Sequence, residues 1–124
     1  MDTEVLIVEI GDCLVVGLPA HLDDYRASIV EKTIVDRMLA TGLRGVVLDA
    51  SIVPVVGRDF AQLVVGIGAA VRDMGGRCAL VDPRPPLVVA RNEIGVHFDS
   101  LLQATAFDDA FAAIAADLQA HSGA

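Results

Sequence analysis

Large aromatic side chains are nearly absent from this sequence of 124 residues. It has no Trp, one Tyr and four Phe, although apolar residues make up 54% of the chain. Eighteen Val and eighteen Ala must therefore supply much of the core. This mixture is typical of buried β-strands covered by Ala-rich helices.

Positive charge is also scarce. Nine Lys and Arg stand against 17 Asp and Glu, which gives a formal net charge of −8. A negative domain repels the phosphates of nucleic acids and the head groups of anionic lipids, and no run of basic residues offsets this repulsion. We therefore expect no nucleic acid and no membrane among the partners, whereas protein partners stay open. The length predicts one domain, residues 1–124.

Segments that would direct the chain into a membrane are missing. The longest nearly apolar stretch, residues 60–71, is too short to span a bilayer. The N-terminal residues begin with acidic side chains and have no basic region ahead of an apolar one, unlike a secretory signal. The sequence therefore predicts a cytoplasmic protein.

No group of side chains forms a recognisable catalytic or metal-binding set. Cys13 and Cys78 lie in strand-like apolar runs without CxxC spacing, which favours two buried free thiols. His21, His97 and His121 show neither HxxxH nor HExxH spacing. Because no nucleophile and base pair is present either, we expect no enzyme, no metal and no cofactor.

The first forty residues predict a hairpin followed by a helix. Two apolar segments, residues 5–10 and 13–18, are separated by two residues, one of them glycine, which is the spacing of a tight antiparallel hairpin. Asp23 and Asp24 are predicted at the start of the helix, where the exposed N–H groups stabilise negative charge, and Gly42 is predicted to end it. The buried face of this helix is predicted to comprise Ala27, Val30, Ile34 and Met38.

The central residues predict a strand, a helix and a second strand. Residues 45–50 (GVVLDA) form a short apolar run with Asp49 at its end, as in a parallel strand buried on both faces. Residues 77–81 (RCALV) have the same character. Gly66 and Gly68 lie within the helix, where close packing against the sheet explains them better than a phosphate loop. One apolar stripe defines this helix: Phe60, Leu63, Val64, Ile67, Val71 and Met74.

The last third predicts two more helices and a short strand. Pro86 is well placed in the first turn of a helix over residues 87–94. Residues 96–98 are predicted as a short edge strand, and Thr105 as the N-terminal cap of a final helix. One face of that helix is predicted to carry Phe107, Phe111, Ile114 and Leu118.

This order of elements predicts an α/β fold with a mixed sheet, whose later strands are parallel through right-handed helical crossovers. In such sheets, ligands and partners meet the carboxyl ends of the central strands, where loops lead into helix N-termini. In this chain that place is the loop over residues 51–58.

Four segments of the chain resemble a known family. They are the opening hairpin that leads to LDD at residues 22–24, GLRGVVLD at 42–49, VPVV at 53–56, and MGG at 74–76 followed by a strand and then Arg84 and Pro85. In this order and at these spacings they are similar to the STAS domain, the anti-sigma factor antagonist family. Within that family they resemble the RsbS-like and RsbR-like scaffold proteins of bacterial stressosomes.

The resemblance implies both a fold and a function. The implied fold is a STAS-like (SpoIIAA-like) mixed sheet of four to five strands, with an N-terminal antiparallel hairpin and about four helices. The implied function is non-enzymatic signalling in the bacterial stress response. Its partners would be a serine kinase of the anti-sigma type and other STAS-domain proteins or further copies of the chain.

The chain departs from the family where phosphorylation would occur. In the family pattern, an Asp and then a Ser or Thr follow the apolar segment that corresponds here to VPVV at residues 53–56. Phosphorylation of that Ser or Thr switches the partner on or off. This sequence has Gly57 and Arg58 at those two positions. Because arginine has no hydroxyl for a serine kinase to phosphorylate, we expect the ordinary switch to be absent.

The resemblance therefore points to a partner-binding surface with a fixed charge. Arg58 and Asp59 either form a permanent recognition feature or mark a site that has lost its switch, and the sequence does not separate these interpretations. Ser51 is the one hydroxyl in the loop and a possible substitute phosphosite, although a local backbone hydrogen bond explains it better. The predicted surface comprises Val56, Gly57, Arg58, Asp59, Phe60 and Arg84.

A small-molecule sensor is the alternative function. In that hypothesis a nucleotide or another anion binds at the N-terminus of the second helix. Arg58 and Arg84 would then contact the anion.

Overall fold

A five-stranded mixed sheet lies between helices in the computed structural model, which describes residues 5–54, 57–82 and 100–122. In these ranges no helix is both long enough and apolar enough to cross a membrane. The elements are β1 (Leu6–Ile10), β2 (Cys13–Gly17), α1 (Asp24–Thr41), β3 (Gly45–Asp49), α2 (Arg58–Asp73), β4 (Arg77–Val81), β5 (Leu101–Ala104) and α3 (Phe107–Ser122).

The strands lie in chain order across the sheet, from β1 at one edge to β5 at the other. β1 pairs antiparallel with β2, and every later neighbour pairs in parallel. Gly11, in the turn between β1 and β2, has a φ of 59°, a conformation that glycine adopts without steric cost. The predicted hairpin and mixed α/β sheet are thereby confirmed.

Each face of the sheet has its own apolar core. Helices α1 and α2 cover one face, where they pack on alternate residues of the strands such as Val16, Leu48 and Leu80. Helix α3 covers β3, β4 and β5 on the opposite face, with Ile114 packed against Val47 and its neighbours. The central strands are therefore buried on both sides, as their continuous apolar runs predicted.

The two cysteines belong to different cores. Cys13 lies on the α3 face and Cys78 on the α1 and α2 face, and both are buried free thiols, as predicted. Burial raises the pKa of both thiols, and the Asp12 carboxylate raises that of Cys13 further. Because the thiolate is the reactive form, both side chains should act as small apolar core residues.

Helix α1 begins and ends as the sequence predicted. Asp23 is the N-cap, and its Oδ1 accepts the backbone N–H of Arg26 at 2.8 Å. Gly42 follows the helix in the left-handed region and donates its N–H to the Met38 carbonyl at 2.8 Å. All four residues predicted for the buried face are buried: Ala27, Val30, Ile34 and Met38.

The carboxyl-terminal third differs from the sequence prediction. The strand that completes the sheet is β5, which the sequence did not predict because LLQA is short and carries a polar Gln103. The predicted helix over residues 87–94 and strand over residues 96–98 lie outside the described residues. Helix α3 begins at Phe107, so Thr105 is one residue too early to be the residue that precedes it.

The two glycines within α2 have different surroundings. A Cβ built on Gly68 would lie 2.7 Å from the Ser100 carbonyl oxygen, whereas a Cβ on Gly66 would meet nothing within 4 Å. The expected close packing is therefore confirmed for Gly68 and wrong for Gly66, which is exposed. Gly68 lets α2 approach the segment that leads into β5.

Substituting alanine at these two glycines should have opposite effects on stability. We expect Gly68→Ala to lower the free energy of unfolding by about 1–3 kcal/mol, because its Cβ overpacks against backbone. Gly66→Ala is the matched control and should raise the same free energy by about 0.5–1 kcal/mol through helix propensity. Urea denaturation measures both values, and a stabilising Gly68→Ala would contradict the close approach.

The cap at Asp23 should make stability depend on pH. The backbone hydrogen bond from Arg26 holds the pKa of this carboxyl below its ordinary value of 3.8, and the Arg26 and His21 charges add to the effect. The ionised cap therefore stabilises the fold above that value, and its contribution is lost as the pH falls through the lower folded-state pKa.

The comparison of wild type with Asp23→Asn isolates this charge, because asparagine keeps a cap oxygen but does not ionise. We expect the wild-type protein to melt at the higher temperature near pH 7 and the difference to shrink below about pH 3.8. Thermal melts followed by circular dichroism measure it. A difference that is equal at both pH values would show that the carboxylate charge plays no part.

Candidate functional site

Backbone hydrogen bonds align the loops at the carboxyl edge of the parallel strands. The Leu18 N–H donates to the Asp49 carbonyl, and the Ala50 N–H donates to the Val81 carbonyl, each at 3.0 Å. The Asp82 N–H donates to the Ala104 carbonyl at 3.1 Å. Each bond extends strand pairing by one step, so the loops after β2, β3 and β4 leave the sheet side by side.

The loop after β3 is held by its own backbone and by one core contact. Asp49 Oδ1 accepts the Ser51 N–H at 2.9 Å, and the Val53 N–H donates to the Ala50 carbonyl at 3.1 Å. Ser51 and Ile52 are exposed, whereas Val53 is buried in the core beneath α1 and α2. This bond uses the Ser51 backbone N–H and the Asp49 side chain, so the role expected of the Ser51 hydroxyl stays a prediction.

A glycine N-cap precedes helix α2, which begins with two charged residues and one core residue. Gly57 is the N-cap in extended conformation and makes no side-chain cap bond, while its carbonyl accepts the Ala61 N–H at 3.0 Å. Arg58 and Asp59 are exposed. Phe60 is only 6% exposed and belongs to the core, so it anchors the helix start.

The predicted surface is therefore only partly in view. Gly57, Arg58, Asp59 and Phe60 are consecutive at the start of α2, with the charged pair outward and the ring inward. Val56 and Arg84 lie outside the described residues.

An open groove of about 400 Å³ adjoins the start of α2. One wall is the loop and helix start that the sequence predicted. The other wall comes from the segment between β2 and α1, which the sequence analysis placed in the resemblance but not in the site. The lining residues are Ala20, His21, Leu22, Val53, Pro54, Gly57, Arg58, Asp59 and Phe60.

The second wall of the groove carries one polar side chain, His21. The His21 imidazole is exposed, and its Nε2 lies 3.7 Å from Asp23 Oδ2. Arg26 Nη1 donates to the same carboxylate oxygen at 2.7 Å, which holds Asp23 toward α1. No local motif links this wall to the start of α2, because the parallel pairing of β2 with β3 brings the two together from residues some thirty positions apart.

The groove offers several kinds of side chain for contact with another molecule. The groove presents apolar, imidazole, guanidinium and carboxylate groups, mostly exposed to solvent. Within the described ranges, no group of three or more His, Cys, Asp or Glu side chains could hold a metal ion.

Comparison of the sequence with known proteins gives no match, either to a protein-family model or to a curated protein.

Solved structures do resemble this fold. An RsbS variant from Moorella thermoacetica has a TM-score of 0.72 at 16% identity, covering 93% of this chain and 97% of that one. A chain from the architecture of the stressosome, described as a signal integration and transduction hub, has a TM-score of 0.70 at 17% identity, covering 96% and 100%. An anti-sigma-factor antagonist (STAS) domain protein from Planctomyces limnophilus has a TM-score of 0.66 at 20% identity, covering 92% and 99%.

These likenesses extend over nearly the whole chain and include the antiparallel hairpin and the mixed sheet. The fold that the sequence resemblance implied is thereby confirmed. This chain has the fold of the STAS-domain anti-sigma factor antagonists.

Proposed function

We propose that this chain is a STAS-family signalling protein of the cytoplasm that works by docking and not by catalysis. Its partner would be a serine kinase of the anti-sigma type, bound at the start of α2 and along the adjoining groove. The observation that carries the proposal is the exposure of Arg58 and Asp59 beside this groove, in a fold of the STAS type.

The charge at the start of α2 supports an acidic contact on the partner. The N-terminus of a helix carries partial positive charge, and Gly57 has no side chain with which to neutralise it. Arg58 adds a full positive charge at the same place. The negative charge of Asp59 offsets part of the repulsion between Arg58 and the helix N-terminus. In a chain with a net charge of −8, this is a local site where a partner's carboxylate would be favoured.

Arg58 also bears on regulation. A phosphoryl group on a serine at this position would add about two negative charges to the helix N-terminus. Arginine gives the opposite charge and cannot be modified in this way. We infer that the chain stays permanently in one binding state, and that Ser51 serves the loop backbone and is not a substitute phosphosite.

Assembly with other STAS domains is the second part of the proposal. The chain taken from the stressosome has this fold over its full length, which supports association of this chain with similar domains or with its own copies.

Reversing the charge at Arg58 should weaken capture of the kinase. We expect Arg58→Glu to reduce the affinity about tenfold or more, because it replaces attraction to an acidic contact by repulsion. The matched control is Arg72→Glu, which makes the same change on the last turn of the same helix. Surface plasmon resonance against an anti-sigma-type kinase from the same organism measures both.

Equal affinities for wild type and Arg58→Glu would remove this surface from the proposal. The same proteins should show no rise in melting temperature with ATP alone. A rise that Arg58→Glu abolishes would favour the small-molecule sensor, because a ligand that binds the native state must stabilise it.

Restoring the family's residues should restore phosphorylation. The double variant Gly57→Asp/Arg58→Ser supplies the expected acid and hydroxyl, and nothing lies within 4 Å of a Cβ at Gly57. Incubated with the kinase and ATP, it should gain one phosphoryl group by intact mass, whereas wild type gains none. Phosphorylation of wild type that Ser51→Ala removes would contradict the fixed-charge account.

A further inference from the structure

The edge strand β1 exposes an apolar face that the rest of the described chain leaves open. Leu6, Val8 and Ile10 are 69%, 57% and 48% exposed. They alternate along β1 and so point to the same side of the sheet. Three exposed aliphatic side chains on one short strand form a contiguous patch, unlike the scattered exposed residues common on protein surfaces.

The position of α3 explains why this patch is uncovered. The three residues pair with Cys13, Val15 and Gly17 of β2, which face the α3 side of the sheet. Helix α3 packs over β3, β4 and β5, and an open groove lined by Ile10 and Phe111 lies between it and the end of β1. On the opposite side of β1, Ile7 is partly buried against the α1 and α2 core, whereas the α3 side is left largely to solvent.

Among the strands that the structure describes, none pairs with the outer backbone of β1. The two-residue turn makes Ile10 and Cys13 a hydrogen-bonded pair. Because such pairs alternate along an antiparallel ladder, Val8 and Leu6 also direct their N–H and C=O groups toward β2. Ile7 and Glu9 then direct their N–H and C=O groups outward. β1 lies at the sheet edge, and no second strand pairs with it within residues 5–54, 57–82 and 100–122.

β1 carries few of the features that normally protect a sheet edge. Natural edges use lysine, proline or a bulge to discourage pairing with another chain. The sequence of β1 is LIVEI, and its five residues pair with β2 in an unbroken register. Glu9 is its one charged residue.

We propose that β1 pairs with β1 of a second copy of this chain, antiparallel and about a two-fold axis at Val8. This register pairs all five residues: Val8 with Val8, Leu6 with Ile10 and Ile7 with Glu9 of the other copy. Centring on Glu9 instead would oppose two like charges, which disfavours pairing. The proposal concerns the sheet edge and does not depend on the kinase surface.

Such pairing satisfies the exposed groups of β1 in both copies. Ile7 and Glu9 of each copy supply two pairs that exchange N–H···O bonds, and the apolar patches of the two strands join side by side. The result is a continuous ten-stranded sheet. This isologous contact uses the same patch on both subunits and closes after two copies.

The contact should be weak and sensitive to salt. Two five-residue strands bury less than about 1,200 Å² in total, which is the range of transient interfaces. Each copy also carries a net charge of −8, so repulsion opposes association until salt screens it. We therefore expect a monomer–dimer equilibrium that shifts toward dimer with concentration and with moderate salt.

Sedimentation velocity over a concentration series tests the pairing. Val8→Lys places a charge at the centre of the contact and should abolish the dimer. Leu39→Lys makes a comparable change at a 69% exposed position on α1 and should leave the dimer intact. A wild-type protein that stays monomeric throughout, or a Val8→Lys protein that dimerises like wild type, would overturn the proposal.

Amide hydrogen exchange on the wild-type protein gives a second test that does not depend on any variant. The Ile7 and Glu9 amides should exchange more slowly as the dimer forms, because they then donate to the partner strand. The Val8 amide already donates to β2 and should change little. A dimer whose Ile7 and Glu9 amides exchange as fast as in the monomer would also overturn the proposal.

Discussion

Hydrogen bonding at the carboxyl edge of the parallel strands is the constraint on which the candidate site depends. The bond from Leu18 to Asp49 and the bond from Ala50 to Val81 fix where the chain leaves β2 and β3. Since both strands end at the same edge, the segment before α1 and the loop before α2 form opposite walls of one groove. Neither wall would face the other without this pairing.

Core packing then decides which side chains of the loop meet solvent. Val53 and Phe60 are buried in the same core on either side of the helix start. Arg58 and Asp59 lie between these two residues in the sequence. Because Val53 and Phe60 are fixed inward, the two charged side chains are turned toward solvent. The Arg58 charge is therefore presented at the surface because ordinary hydrophobic burial fixes its neighbours inward.

Much of the fold could be predicted from the sequence because the apolar residues of most segments follow either the helical or the strand period, and not a mixture of the two. The α1 stripe, the hairpin and the strands at 45–49 and 77–81 have clear helical or strand periodicity, and the structure has all of them. β5 was missed because four residues with one polar side chain give little periodicity. The role of Gly66 was also missed, since the sequence does not tell which face of a helical glycine approaches another element.

The candidate site was predictable only in the half that is local in sequence. Gly57, Arg58 and Asp59 follow a recognisable strand and apolar rise, so their place at a helix start could be inferred. His21 and Leu22 join them through the parallel pairing of β2 with β3, which is a property of topology and not of any motif. The exposed edge of β1 becomes evident only in the structure, where the strand order places LIVEI at the edge of the sheet and leaves three of its apolar side chains exposed.

The two proposed contacts lie at different places on the molecule. One lies at the start of α2, above the middle of the sheet, and the other at the β1 edge, so a kinase and a second copy could bind together. The central claim is that the fixed charge at the start of α2 is the docking surface.

Titration of the isotope-labelled chain with an anti-sigma-type kinase, followed by NMR, tests this claim most directly. The account predicts that the perturbed amides cluster at Gly57, Arg58 and Asp59 and at His21 and Leu22 across the groove. Perturbations that leave these residues unchanged and cluster elsewhere on the molecule would contradict it.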